Sequence, residues 1–490
     1  MAIDDCPPIG LAYLAGSLRA GGHTVTGIDA VGDGFEVFRP LESVPGILEH
    51  GLTPADIAAR IPAETEMVGV TCMFSSEWPH VRRLLEVIGA ARPDVTLVVG
   101  GEHVTAVTEF VLTSAPAVNF AVLGEGEETI VELADRLSRG EKAETLLGDI
   151  AGVAGLRDGK FVGAPRRKRI ADIDAIPEPY WDIFPMELYI STGSSFGVDR
   201  GRSMPIVGSR GCPYECTFCS SPLMWTTKWS ARRPENVIAE MKLYMERYGA
   251  TNFDFYDLTA IIRKDWVVEF AQAVKRENLG ITWQLPTGTR SEVIDAEVTQ
   301  LLFESGCRDM NYAPESGNPD ILKRIKKKVS LDKMLTSMRD ACNSGLAVKA
   351  NIMMGFPGER KRDLLPTYRF IVQLARLGVQ DTSCYAFSPY PGSELFNDLE
   401  EVGRVELSDD YLKQMVCYSD PGKAVSYSEH MSDRFVRFAT HAGMALFYGV
   451  SLATHPRRIK TLFQHLAVEG RAQTKLEKAL ARKLSPRVPV

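Results

Sequence analysis

With 490 residues, 45% of them hydrophobic and 24% charged, the chain exceeds what one compact core holds, and two or three domains are expected. Its formal net charge of −7 gives no overall reason to expect nucleic-acid binding. No apolar run approaches the roughly 20 residues of a spanning helix. The opening "MAIDDCPPIG" is acidic where a signal peptide is basic, so the chain reads as cytoplasmic.

The first 160 residues alternate short apolar runs with amphipathic stretches. "HTVTGID" (23–29), "EMVGVT" (66–71), "VTLVVGG" (95–101) and "VNFAVLG" (118–124) read as buried parallel strands. "SEWPHVRRLLEVIGAAR" (76–92) and "EETIVELADRLSRG" (127–140) read as helices between them. This rhythm predicts an α/β, doubly wound Rossmann-like domain that binds ligands at the carboxyl ends of its strands. A first helix, "PPIGLAYLAGSLRAGG" (7–22), has only six residues before it, where such a domain normally has a strand. Either the domain starts unusually or the start codon is placed too late.

After the Pro-rich "ADIDAIPEPYWDIFP" (171–185), six strand-like runs recur every thirty to fifty residues, with helical patterns between. They are "MPIVGSR" (204–210), "NFDFYD" (252–257), "ITWQLP" (281–286), "DMNYAPE" (309–315), "VKANIMMGFPGE" (348–359) and "DTSCYAFSPYPGSE" (381–394). Six βα repeats predict a partial (β/α)6 barrel of the TIM type, with its chemistry at the carboxyl ends of the strands. The expected division is a front domain at 1–165, a linker at 166–203, a barrel at 204–398 and a helical region at 399–490. "FSPYPGSELF" (387–396) ends the barrel as a rigid turn around Tyr390, and the helices after 400 are expected to cap the barrel mouth. The last 35 residues carry Arg457, Arg458, Lys460, Arg471, Lys475, Lys478, Arg482, Lys483 and Arg487 against Glu469 and Glu477. Such a run is usually a solvated face; the alternative is a surface for an anionic partner or peripheral membrane contact.

Nine cysteines, an odd number spread over the chain, do not describe a disulfide framework. Three of them, Cys212, Cys216 and Cys219, fall within "GSRGCPYECTFCSSP" (208–222), just after the first barrel strand. Structural zinc wants four ligands, and no fourth Cys or His is near in sequence. A [4Fe–4S] cluster fits better, with three irons held by thiolates and the fourth left open.

"CPYECTFC", with Phe218 before its last cysteine, resembles the CxxxCxxC signature of the radical S-adenosylmethionine (SAM) enzymes. The resemblance spans 204–395. It implies that SAM chelates the open iron and yields a 5′-deoxyadenosyl radical. It also implies SAM contacts at Asp257 in "FYDLTAI", Arg290 in "GTR", Glu315 in "APESG", and Gly355 and Gly358 in "GFPGE". By themselves Glu315 could be a salt-bridge partner of "KRIKKK" (323–328), and the two glycines could only shape a turn.

"PPIGLAYLAGSLRAGGHTVTGIDA", "VVGGEHVTA" and "LGEGEETIVEL" resemble the cobalamin-binding domain of the class B, cobalamin-dependent radical SAM enzymes. Small residues Gly100, Gly101, Gly124 and Gly126 would let the backbone approach a flat macrocycle. Ser75, in "TCMFSSEW", is expected to face it. The alternative is a Rossmann-like nucleotide fold, but no GxGxxG is present. The DxHxxG motif of many cobalamin domains is also absent, so His103 is expected to pack or hydrogen-bond rather than ligate cobalt.

The resemblance implies methylation of an unactivated carbon of a natural-product or lipid-like small molecule, with a low-potential electron donor such as flavodoxin or ferredoxin. The alternative is an oxidative cyclase of the anaerobic magnesium-protoporphyrin ester type. A non-catalytic cobalamin regulator would have no use for three thiolates.

Overall fold

The computed structural model describes residues 5–41, 44, 47–290, 293–415, 421–466 and 473–484. In the front unit, helix α1 (Ile9–Ala20) precedes a five-stranded sheet. Its parallel part is β1 (Met67–Thr71), α2 (Trp78–Ala91), β2 (Thr96–Gly100), α3 (Glu102–Ala106), β3 (Phe120–Val122) and α4 (Glu127–Ser138). Pro79 sits in the first turn of α2, where no amide partner is lost. The sheet then continues into an antiparallel hairpin, β4 (Val153–Arg157) and β5 (Lys160–Gly163). Asp158 and Gly159 turn it with φ of 51° and 72°. That is the Asp-Gly primed turn that matches strand twist, a local signal the sequence carries at 158–159.

The stretch 23–29, expected as a strand, forms none. A strand persists only against a neighbour that takes its N–H and C=O groups, and among the described residues no strand lies beside it. β1 is therefore the edge of the described sheet. Its residues are half-exposed or exposed, where the apolar run predicts burial.

The second unit is a six-stranded, all-parallel sheet in strictly sequential order. It runs β6 (Ser203–Ile206), β9 (Asn252–Phe255), β10 (Thr282–Thr289), β11 (Cys307–Glu315), β12 (Ala347–Met354) and β13 (Asp381–Ala386). Two short strands, β7 (Ser209–Arg210) and β8 (Ser230–Ala231), pair antiparallel after β6. Helix α5 (Ser221–Trp225) follows the cysteines and packs on α3, and the outer helices include α6 (Pro234–Tyr248), α7 (Lys264–Glu277), α8 (Ala296–Glu304), α9 (Pro319–Arg324), α10 (Leu331–Asn343) and α11 (Leu364–Leu377). Gly249 ends α6 in the left-handed conformation that a helix C-terminus favours. Side chains alternate across each strand. Val348, Ala350 and Ile352 of β12 are fully buried with Met334 and Met338 of α10 and Ile371 of α11. The residues between them face the lumen.

Linker residues close the amino end of the barrel. The Val198 amide donates to Gln284 Oε1 at 2.9 Å, and Gln284 Nε2 donates back to the Val198 carbonyl at 2.8 Å. The C-terminal region holds α12 (Glu394–Glu401), α13 (Asp409–Met415), α14 (Asp433–Thr454), α15 (Arg457–Gln464) and α16 (Lys475–Leu484). Of the tail cations, Arg471 and Arg487 lie outside the described residues, as do the side chains of Arg482 and Lys483. α13 packs on residues 75–77 and α2, while α14 packs on α11 and β13. One apolar cluster joins Trp78 and Val104 of the front unit to Phe356, Phe387 and Leu412. Both units thus share a core. Among the described residues, no helix is long and apolar enough to cross a membrane.

Candidate active site

The cysteine loop leaves the carboxyl end of β6 through a neck made by β7 and β8, where Ser209 pairs with Ala231 and Arg210 with Ser230. Asp257, just past β9, fastens that neck. Its Oδ2 accepts from the Gly208 amide at 2.9 Å and its Oδ1 from Ser209 Oγ at 2.5 Å. Burial pushes the Asp257 carboxyl up to about 6, against the lowering effect of those hydrogen bonds. Gly211 then takes φ +86°, and a Cβ there would lie 2.2 Å from the Lys228 carbonyl, so only glycine fits.

Beyond Gly211 the half-buried Cys212, Cys216 and Cys219 share one loop, and all three are free thiols. Thr259 Oγ1 donates to Cys212 Sγ at 3.7 Å, and the Cys219 amide closes a turn on the Cys216 carbonyl at 3.0 Å. Burial raises the Cys216 thiol, and raises Cys219 to about 11. Raised in this way, the Cys216 and Cys219 thiols stay protonated unless a metal takes the charge. Among the described residues no three His, Cys, Asp or Glu side chains converge on a single ion. A cube gives each thiolate its own corner iron, and so asks for no such convergence.

Two expected cofactor residues wrap this loop. The Arg290 guanidinium stacks over Tyr214 at 3.6 Å and donates to the Lys328 carbonyl. Glu315 is buried, pairs with Lys327 at 2.9 Å, and holds φ +64°, a strained value outside glycine. Pro314 before it breaks the β11–β12 ladder and shifts the register. Lys327 in turn lies 5.9 Å from the Phe218 ring centroid. The salt bridge read as an alternative role for Glu315 therefore exists, and it exists at the cysteine loop.

At the end of β12, Gly355 and Phe356 donate their amides to Glu359 Oε2 at 2.6 and 3.2 Å. Glu359 is fully buried, its Oε1 has no partner among the described residues, and burial pushes its carboxyl up to about 7. The Phe356 and Phe218 rings meet at 6.2 Å, which joins this turn to the cysteines. Gly358 has φ +72° and donates to Glu429 at 2.7 Å.

The front-unit residues gather at the carboxyl ends of β1, β2 and β3. His103 Nδ1 and Ser75 Oγ are 2.9 Å apart, and the imidazole lies against Trp78 with centroids at 5.5 Å. His103 is 1% exposed, its Nε2 has no partner among the described residues, and desolvation lowers it to about 4, so it is neutral. Gly101 takes φ +116°, and a Cβ there would sit 2.3 Å from the Cys72 carbonyl. Gly100 backs onto Val122 of β3, the Gly124 amide donates to Thr105 Oγ1 at 3.1 Å, and Gly126 packs against Leu14. Met73 and Phe74, at the end of β1, stay 44% and 45% exposed.

The cysteine loop and these loops face each other across a polar seam. Ser220, next to Cys219, donates to Glu102 Oε1 at 2.5 Å. Arg210, at the neck, reaches Glu127 at 2.6 Å and Glu125 at 3.4 Å, and Arg169 also holds Glu125 at 3.2 Å. Gly392, beside Tyr390, packs on Ala106 and Leu223. The Tyr390 carbonyl accepts from the Ser393 amide at 3.0 Å, in a turn as expected. Sequence reasoning did not single out Glu102, Ser220, Arg210, Glu125, Glu127 and Glu359, whereas Lys327 lies in the "KRIKKK" segment already weighed as the partner of Glu315. Only Arg210, two positions before Cys212, and Glu125 and Glu127 in "GEGEE" carried any local signal.

A sequential half-barrel with three open thiols at its carboxyl end, docked on a B12-type α/β domain, defines a two-cofactor radical enzyme. Residues 206–371 match the Radical SAM superfamily, and residues 3–134 match the B12 binding domain. The chain is 30% identical to an uncharacterized methyltransferase, PH0819, of Pyrococcus horikoshii over 391 residues, 80% of this chain and 78% of that one. It is 27% identical to a cytidylyl-2-hydroxyethylphosphonate methyltransferase of Streptomyces wedmorensis, covering 81% and 79%. In fold it is similar to the radical SAM methyltransferase TsrM of Kitasatospora setae, solved with cobalamin and a [4Fe-4S] cluster (TM-score 0.63, 16% identity, 92% and 87% covered). The chain belongs to the cobalamin-dependent radical SAM enzymes, and within them it is a methyltransferase. The cofactors of that family are a [4Fe–4S] cluster, SAM and cobalamin. The residues fit them: three uncommitted thiols for the cluster, and the orphaned His103 Nε2 beside exposed Met73 and Phe74 for a corrin.

Proposed function

We propose that this enzyme methylates an unactivated carbon of a natural-product or lipid-like small molecule held in the barrel lumen. The observation that carries this reading is the seam. The Ser220–Glu102 contact sets the cysteine loop directly against the carboxyl-end loops of the front domain. When bound, the cluster and SAM supply a hydrogen-abstracting radical, and cobalamin supplies a methyl group.

The chain's own residues hold and shield these groups. Cys212, Cys216 and Cys219 bind the cluster, and Asp257 keeps their loop in register by fixing its neck. Glu315 and Arg290 flank that loop and bind SAM, with the Gly355–Gly358 turn offering close backbone approach. Gly100, Gly101, Gly124 and Gly126 line the corrin, with Ser75 fixing the orientation of His103. The linker at the amino end and the shared apolar cluster exclude water from the lumen.

The functional division follows the sequence boundaries at 165, 203 and 398. A low-potential flavodoxin or ferredoxin delivers the electron in the cytoplasm. The test is SAM with a deuterated methyl group, supplied to reconstituted enzyme and substrate-containing extract. Label in the product is expected. Deoxyadenosine formed alongside an unlabelled product would sink methylation in favour of cyclisation.

A further inference from the structure

Lys349 is a cation on the lumen face of β12 that makes no ion pair among the described residues. Its neighbours along β12, Val348 and Ala350, are fully buried in the outer core, so Lys349 and Asn351 project inward. Both are half-exposed although helices cover the sheet's outer face, which marks the lumen as hollow at this level. In register, Lys349 lies between Asn311 of β11 and Asp381 of β13.

Asp309 and Glu315 are ion-paired and Asp254 and Asp381 accept from neutral groups, and none of the four pairs with Lys349 among the described residues. Asp309 pairs with Arg200, and Asp254 accepts from Gln284 and Asn252. Asp381 takes the Tyr448 hydroxyl and the Lys475 amide, and Glu315 takes Lys327. Lys349 itself makes no ion pair or hydrogen bond among the described residues. On the same face Asn311 donates Nδ2 to the Pro286 carbonyl at 2.9 Å, which fixes its amide orientation. Its Oδ1 is buried without a partner among the described residues. From the C-terminal helix α16, the Lys475 ammonium comes within 5.9 Å of the Tyr385 ring, adding positive charge to this side. A buried amide oxygen left unmatched is costly unless a ligand completes it, and the half-exposed ammonium beside it is open to the same ligand.

We propose that the substrate carries an anionic group, a carboxylate or a phosphate-type oxyanion, that seats on Lys349. A neighbouring hydroxyl or amine of the same molecule donates to Asn311 Oδ1. This inference rests on the radical SAM reading of the lumen and specifies the substrate class for it. Lys349 lies three residues before Ile352, the register partner of Glu315, so the anion sits about 10 Å below the SAM-facing end. Anchored there, the opposite end of the substrate reaches the radical. Charge-assisted pairing gives Lys349 a specificity role rather than a catalytic one.

The test titrates SAM-loaded, reconstituted enzyme calorimetrically with lactate and with 2-hydroxyethylphosphonate, each pairing an anion with a hydroxyl, and with their neutral esters. Wild type should bind at least one anion over its ester, and the anion preferred identifies carboxylate or phosphate-type chemistry. Lys349→Met should weaken that binding about tenfold or more, and Lys349→Arg should retain part of it. Substrate-free deoxyadenosine formation from SAM should continue in Lys349→Met. Equal anion affinity in wild type and Lys349→Met, or no anion binding by wild type, overturns the proposal. Loss of SAM cleavage together with anion binding in Lys349→Met also overturns it, because the lysine would then serve the fold or the SAM site. Failure of the radical SAM reading has a separate readout, absence of deoxyadenosine from the wild-type enzyme.

Discussion

Glu359 accepts two backbone amides at the end of β12 in a site without solvent, and its carboxyl is pushed from 4.5 up to about 7 by that burial. The folded protein therefore keeps a proton that the unfolded chain releases. The stabilisation is full below about 4.5 and is lost as the pH rises through about 7. Glu359→Gln keeps an acceptor for both amides and removes the titration. Relative to wild type, its unfolding free energy should rise by on the order of 3 kcal/mol between pH 5 and pH 8 in urea denaturation. A flat difference across that range would mean Glu359 is not buried as described. Gly101 is the other residue set by geometry alone: at φ +116° with the Cys72 carbonyl 2.3 Å from a built Cβ, Gly101→Ala must move the β1 and β2 loops. It should cost about 1–3 kcal/mol and reduce corrinoid uptake, read from the visible spectrum.

At the scale of elements, the cysteine loop depends on a neck only two residues wide on each side. Arg210 secures that neck by pairing with Glu127 and Glu125 of the front unit, and it is 9% exposed. Arg210→Ala leaves two buried carboxylates short of a partner and should cost about 3–5 kcal/mol in thermal or chemical unfolding, with partial recovery in Arg210→Lys. The barrel strands were legible because each is a run of apolar residues closed by turn residues, and six of them recur in order. The stretch 23–29 has the same local pattern and forms no strand. Pattern supplies a face to bury, but a strand also needs a neighbour to bond. The hairpin at 153–163 was missed although Asp158-Gly159 is a turn signal, because its flanking strands are short and half-polar.

For the whole molecule, the arrangement is two cofactor units sharing one apolar cluster and one polar seam. The cluster and corrin sites lie on different elements and should be separable. In a Cys212/Cys216/Cys219→Ala variant, iron should fall from about four per chain to background while corrinoid uptake persists. Iron retained in that variant would refute the cluster assignment. Of the C-terminal helices, expected at the barrel mouth, α13 lies there with Phe356 and Phe387, while α14 packs elsewhere. α13 covers residues 75–77 of the front unit, and Arg82 holds Asp409 through both nitrogens; α14 lies against α11 and β13.

The sequence by itself determined the chemistry at the cysteines. Three thiols seven positions apart from first to last, after a strand, are a local feature, and local spacing survives folding whatever surrounds it. It also determined the order of the barrel strands, because parallel βα units pack in sequence. Only the tertiary structure decided that Glu102 meets Ser220, that Arg210 meets Glu127, which lysine of "KRIKKK" meets Glu315, and that Lys349 faces a hollow lumen. The first two contacts join residues 118 and 83 positions apart across two domains. No periodicity encodes such pairs. They arise when separately formed elements bury their apolar faces and bring the remaining polar groups together.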